Sequence, residues 1–105
     1  MDAASLVELQ RFEEARSLTR KMMPVARRVL GEGDNLTLRM RWNYAQTLYY
    51  RGDSATLDEL REAVETLADS ERIARRVFGG THPITTGIER DLREARAALR
   101  AAKQS

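Results

Sequence analysis

Ala26-Arg27-Arg28-Val29-Leu30-Gly31 returns 48 residues later as Ala74-Arg75-Arg76-Val77-Phe78-Gly79, and this echo decides the fold of the chain. At the same offset Glu14-Ala15 aligns with Glu62-Ala63, Leu9 with Leu57 and Thr37 with Thr85. Matches spread over several segments mark an internal repeat and not one chance hexamer. A fixed period implies stacked supersecondary units that share a continuous core and need no catalytic centre.

Working outward, each flanking segment reads as a helix. Ser5-Leu6-Val7-Glu8 has the form of a capping box, which predicts a short helix running towards Arg11. A long amphipathic helix then carries Phe12, Ala15, Leu18, Met22, Ala26 and Val29 at three- and four-residue steps. Pro24 inside it removes a ladder hydrogen bond, a loss of about 3 kcal/mol in a straight interior, so a kink or restart is expected there. Gly31 and Gly33 suit a helix end, and Asp34 or Asn35 can cap the helix that follows. From Leu36 to Arg51 the stripe Met40, Tyr44, Ala45 and Leu48 faces inward, with Gly52 expected to close the helix and Asp53-Ser54-Ala55 to form a loop. Thr56-Leu57-Asp58-Glu59 is a second capping box, opening a helix that keeps Leu60, Ala63, Val64, Leu67, Ala74, Val77 and Phe78 on one side. Gly79-Gly80 stops it. His82 before Pro83 reads as a cap and first helical residue, and Ile84, Ile88, Leu92, Ala95 and Leu99 line the last helix before Lys103-Gln104-Ser105 frays. No strand pattern occurs.

Composition narrows the function classes. A chain of 105 residues suits one modest domain. The absence of cysteine excludes a disulfide framework, thiolate metal sites and cysteine nucleophiles, and it fits a reducing compartment, so the expected location is cytoplasmic. Met1-Asp2-Ala3-Ala4 lacks the basic start of a secretion signal, and no apolar run approaches the roughly 20 residues of a membrane span, so no membrane partner is expected. Eighteen basic and sixteen acidic residues leave a net charge of +2, a weak motive for capturing nucleic acid. His82 is the sole histidine, the acid pairs Glu13-Glu14 and Asp58-Glu59 fall in first turns where they complement the helix dipole, and Gly31-Glu32-Gly33 lacks a phosphate-loop fingerprint. No metal, cofactor or catalysis is expected.

The residues resemble the tetratricopeptide repeats of the kinesin light chain type. Phe78-Gly79, His82-Pro83 and Thr85 match one junction of that pattern; Leu30-Gly31, Asn43-Tyr44-Ala45, Leu48-Tyr49, Gly52 and Leu60-Arg61-Glu62-Ala63 match its body, and Phe12-Glu13-Glu14-Ala15 resembles another second-helix start. The resemblance covers most of the chain. It departs in period, commonly near 42 residues in the family, with the extra length between Gly52 and Leu60, and in having Asp34-Asn35 where His-Pro would stand. It implies an all-α, right-handed stack of antiparallel helical hairpins with about five helices in a single domain: a partial unit 3–31, a full unit 34–79 and a capping helix 83–102. So few units lead us to expect self-association or membership of a longer array.

In that family the first helix of each hairpin lines a concave surface that takes a peptide or partner segment. The resemblance puts Arg39, Trp42, Asn43, Gln46, Tyr49 and Tyr50 there, and their three- and four-residue spacing gives them one helix face independently. Aromatics, amides and a cation are enriched in binding hot spots. Asn43 can pair with an extended backbone and Arg39 with an acidic group. Trp42 and Tyr49 carry a second reading, as packing against the neighbouring long helices. The matching face of the last helix, Arg90, Asp91 and Glu94 with Gly87, Ala97 and Ala98, reads as a solvated cap. The expected function is therefore a non-catalytic protein-interaction scaffold for a protein or peptide ligand. The alternatives are a structural module that self-assembles through its open ends, and a nucleic-acid binder using a ridge of Arg16, Arg20, Lys21, Arg27-Arg28 and Arg75-Arg76.

Overall fold

A computed structural model describes residues 2–50 and 54–104, which form four helices and no strand: α1 (Ala3–Val29), α2 (Asn35–Tyr49), α3 (Leu57–Phe78) and α4 (Pro83–Lys103). The two copies of the echo end α1 and α3 in the same way. Gly31 and Gly79 take positive φ, 95° and 92°, a conformation that costs a side-chain-bearing residue far more than glycine. The Gly31 amide donates to the Arg27 carbonyl and the Gly79 amide to that of Arg75; Asp34 N–H returns to Gly31 and His82 N–H to Gly79, both at 3.4 Å. Asp34 and His82 then cap α2 and α4 with their side chains, accepting from Leu36 N–H and Ile84 N–H. Aspartate and histidine thus do one job at equivalent positions, because either offers an acceptor two residues ahead of a free amide.

Two expectations at the start of the chain need correction. The short helix and the long helix after it are a single helix, α1, so the described residues hold four helices and not five. Its cap is Asp2, whose carboxylate accepts from Ser5 N–H, and not the Ser5 capping box. Pro24 causes no restart: it sits on the exposed side of α1, where water can satisfy the carbonyl one turn back. The α1 stripe also differs. Of Phe12, Ala15, Leu18, Met22, Ala26 and Val29, only Ala26 is buried, and the covered face is Leu9, Phe12, Arg16, Thr19, Met23 and Ala26. Two apolar stripes lie on this helix, and only one meets a neighbour.

The other elements follow their patterns. Thr56 and Glu59 form the expected capping box at α3, and His82-Pro83 opens α4 as expected. α2 ends at Tyr49 with Tyr50 as its cap, and α4 runs to Lys103. Arg51, the stop at Gly52, the loop residue Asp53, Met1 and Ser105 lie outside the described residues. Consecutive helices pack on one another, and α2 also meets α4, so α3 is covered on two sides by α2 and α4. The core is Leu38, Tyr44, Ala45 and Leu48 from α2, Leu60, Ala63, Leu67, Ile73 and Ala74 from α3, and Ile84, Ile88, Leu92 and Ala95 from α4, with Tyr49 at its edge. α1 adds only Ala26 to the fully buried set, with Met23 packed against the core. Polar bonds add to its hold: Arg16 donates to the Thr47 carbonyl and to Glu59, and Arg20 to the Tyr44 hydroxyl. No helix of the described residues is long and apolar enough to cross a membrane.

Candidate functional site

Side chains on α2 sort by angle around the helix. Tyr44, Ala45 and Leu48 point into the core, and the opposite side carries Leu36, Arg39, Asn43 and Tyr50, all exposed. Between these two arcs lie Trp42, Gln46 and Tyr49, which turn towards α4.

The six candidate residues therefore divide into two groups of three. Trp42 donates its indole N–H to Asp91 Oδ2 at 2.6 Å, and the Gln46 amide donates to the same oxygen at 2.8 Å. The Trp42 ring approaches α4 closely because Gly87 has no side chain: a Cβ there would fall 2.4 Å from the ring. Tyr49 is buried, donates to Glu94 Oε2 at 3.4 Å and meets Tyr50 edge to face at 4.8 Å between centroids. Burial is the main cause, with nearby Asp91 adding to it, that pushes the Tyr49 hydroxyl far above its ordinary pKa, so it remains a neutral donor. Trp42 and Tyr49 thus pack into the molecule, each with a hydrogen bond to α4.

Arg39, Asn43 and Tyr50 form the second group, which faces solvent. Arg39 Nε donates to Asn35 Oδ1 at 2.7 Å, which orients the guanidinium and leaves its terminal nitrogens outward. Asn43 makes no side-chain hydrogen bond among the described residues, so its amide keeps both donor and acceptor capacity. Tyr50 is held by Gln46, whose amide donates to the phenol oxygen at 3.3 Å. Rigid neighbours underneath and unsatisfied polar groups above are the makings of a recognition surface.

Asp91 is the residue that sequence reasoning placed wrongly. Expected on a solvated face, it is 1% exposed and joins α2 to α4. Its Oδ2 takes both donors from α2, while Oδ1 makes no hydrogen bond among the described residues and has Arg90 Nε 3.5 Å away. The signal was present in Gly87 and Asp91, four apart, which give one helix face a gap and an acceptor that suit an indole. Arg41 was also missed. It is buried between α2 and α3 and bonds Asp69 at 2.6 Å.

The basic ridge does not assemble as drawn. Arg16 is half-buried and committed to Thr47 and Glu59, Arg27 pairs with Glu32, and Arg75 with Glu71 and Glu89. His82 accepts from Ile84 N–H through Nδ1 and stacks on Phe78 at 4.6 Å, the cap role expected of it. Compared with family models, with curated proteins and with solved structures, the chain matches none.

Proposed function

We propose that this chain is a cytoplasmic, non-catalytic binding module of the tetratricopeptide kind, which takes an extended peptide or partner segment along the face formed by α2 and α4. One observation carries the reading. The Trp42–Asp91–Gln46 bonds tie the floor between the two helices, and Arg39, Asn43 and Tyr50 stand exposed on the face above it. A preorganised floor lowers the entropy lost on binding. Asn43 pairs with the ligand backbone, Tyr50 supplies an aromatic contact and Arg39 selects an acidic group. The 48-residue echo and its twin turns support a hairpin stack of the same kind.

The test is a displayed library of random peptides, selected on the wild type and on Asn43→Ala with Arg39→Glu. The wild type enriches peptides with an acidic residue at a fixed position. The double variant loses that enrichment with unchanged helicity and melting temperature, because both positions are exposed. Equal enrichment on both proteins would refute the assignment of this face.

A further inference from the structure

The 48-residue register places every face of α1 opposite a counterpart on α3, and the counterparts have different fates. On α3, Glu62 and Asp69 meet Tyr44 and Arg41 of α2, and Ile73 and Val77 lie beside Gly33 in the turn before α2. Thr66, Ser70 and Ile73 thus belong to the side that α2 covers, with Val77 half-exposed at its rim. Their α1 counterparts are Leu18, Met22, Val25 and Val29. None of these four is buried. Leu18 is 63% exposed and Val29 70%, with Met22 and Val25 exposed between them. The uncovered face is more apolar than the covered one. The opposite end of the molecule behaves as a free end should: no large hydrophobic residue of α4 is exposed, and Arg93, Arg96 and Arg100 face water.

We infer that a second copy of this chain covers the α1 face, through an antiparallel pairing of the two α1 helices about a two-fold axis. Ala15, Leu18, Met22, Val25 and Val29 recur at alternating steps of three and four, the seam of a two-helix coiled coil. A seam of this kind is self-complementary, as a two-fold interface requires. Head-to-tail stacking is the competing arrangement, and it would set the arginine face of α4 on this seam. A helix of the α2 type in the place that α2 holds on α3 fits poorly as well, because Lys21 stands where Asp69 receives Arg41.

Charge sets the direction. Glu14, Lys21 and Arg28, seven residues apart, border one side of the seam. Antiparallel pairing with Leu18 of one copy beside Met22 of the other brings each Glu14 opposite the Arg28 of its mate and leaves Lys21 near the axis. The seam is a different stripe of α1 from the Leu9, Phe12, Arg16, Thr19, Met23 and Ala26 face that packs on α2, and Arg39, Asn43 and Tyr50 are not part of it. The inference stands apart from the proposed binding function, and Asn43→Ala with Arg39→Glu dimerises as wild type does.

Sedimentation over a concentration series from micromolar to near-millimolar tests it on the full chain. The wild type shows a monomer–dimer equilibrium. Leu18→Glu with Val25→Glu raises the dissociation constant by on the order of a hundredfold or more, since each charge would be buried against an apolar seam. Both sites are exposed in the monomer, so helicity is retained; Leu18→Ala with Val25→Ala gives a smaller rise and serves where the charged pair unfolds. Glu14→Arg alone weakens the dimer by roughly threefold to tenfold, and adding Arg28→Glu restores it. A spin label on Gln10→Cys reads direction, with labels roughly 30 Å apart when antiparallel and about 10 Å when parallel. A chain monomeric at every concentration, a dimer indifferent to the glutamates at 18 and 25, or a short label distance would each overturn the proposal.

Discussion

α1 and α3 are two copies of one helix in different surroundings. Both run into the same glycine turn, place an alanine against the next helix and expose an arginine pair before it, at Arg27-Arg28 and Arg75-Arg76. α3 buries Leu60, Ala63, Leu67, Ser70, Ile73 and Ala74, whereas α1 buries Ala26 alone. The difference shows what a repeat encodes locally and what it leaves to its neighbours. The turn, the cap and the small contact residue are carried by the sequence copy itself. Burial needs a helix on each side, and α3 has two where α1 has one.

The largest effect that separates the two copies is expected from truncating a leucine in each. Leu67 is fully buried in α3, so Leu67→Ala should cost about 2–5 kcal/mol of unfolding free energy, the transfer loss plus an unfilled cavity. Leu18→Ala on α1 should change monomer stability by less than about 0.5 kcal/mol. Denaturant titrations at a concentration too low for association measure both. A comparable loss at the two sites would mean that α1 is covered within the monomer.

A smaller contrast comes from the alanines of the echo itself. Ala74 is 0% exposed between helices and Ala26 is 6% exposed beside α2, where the Thr37 hydroxyl donates to its carbonyl. Enlarging either to leucine forces neighbours apart, at about 1–3 kcal/mol in a packed interior. Ala74→Leu should reach that range, and Ala26→Leu should stay near its lower end because α1 has a free side into which it can move. Paired thermal melts decide this, and an equal cost at both positions would show α1 to be held as firmly as α3.

These contrasts explain how much could be read in advance. The two glycine turns after α1 and α3 were legible because their chemistry is local: a positive-φ glycine, then an acceptor two residues before an open amide. The α4 stripe was legible because it has one apolar face; on α3 the expected Leu60, Ala63, Leu67 and Ala74 are buried, but Val77 is exposed, and Ser70 and Ile73 are buried because α3 meets both α2 and α4. α1 offers two stripes of the same spacing, and the choice between them rests on Arg16 reaching Thr47 and Glu59, far along the chain. The candidate site was half legible. Spacing gave α2 its outer face, with Arg39, Asn43 and Tyr50, but Trp42 and Gln46 are turned aside by Asp91 and Gly87 on α4. Periodicity within one helix carries no record of a carboxylate on another.

The smallest expected effect concerns the polar tie that substitutes for apolar burial on α1. Arg16 pairs with Glu59 at 2.7 Å, both side chains being mostly covered. Burial alone would raise the Glu59 carboxyl above its ordinary 4.5, but hydrogen bonds from Thr56 and Arg16 together outweigh this and hold it below. Asp69 is likewise held below its ordinary 3.8, chiefly by the hydrogen bond from Arg41 and against burial. A carboxyl depressed in the folded state stabilises the fold above its unfolded pKa, and that stabilisation is lost as the pH falls through the folded value. Melting temperature should thus be level around neutrality and decline once the pH drops below about 4.5. Glu59→Gln keeps an acceptor for the Thr56 amide and removes the titration, so it should be less stable than wild type at pH 7 by less than about 1 kcal/mol, with the difference shrinking as the pH falls below about 4.5. Curves that stayed parallel from pH 7 to pH 3 would show that the ion pair does not anchor α1. The tie is also peculiar to this junction, for the position equivalent to Glu59 on α1 is Arg11, where a preceding arginine would meet like charge.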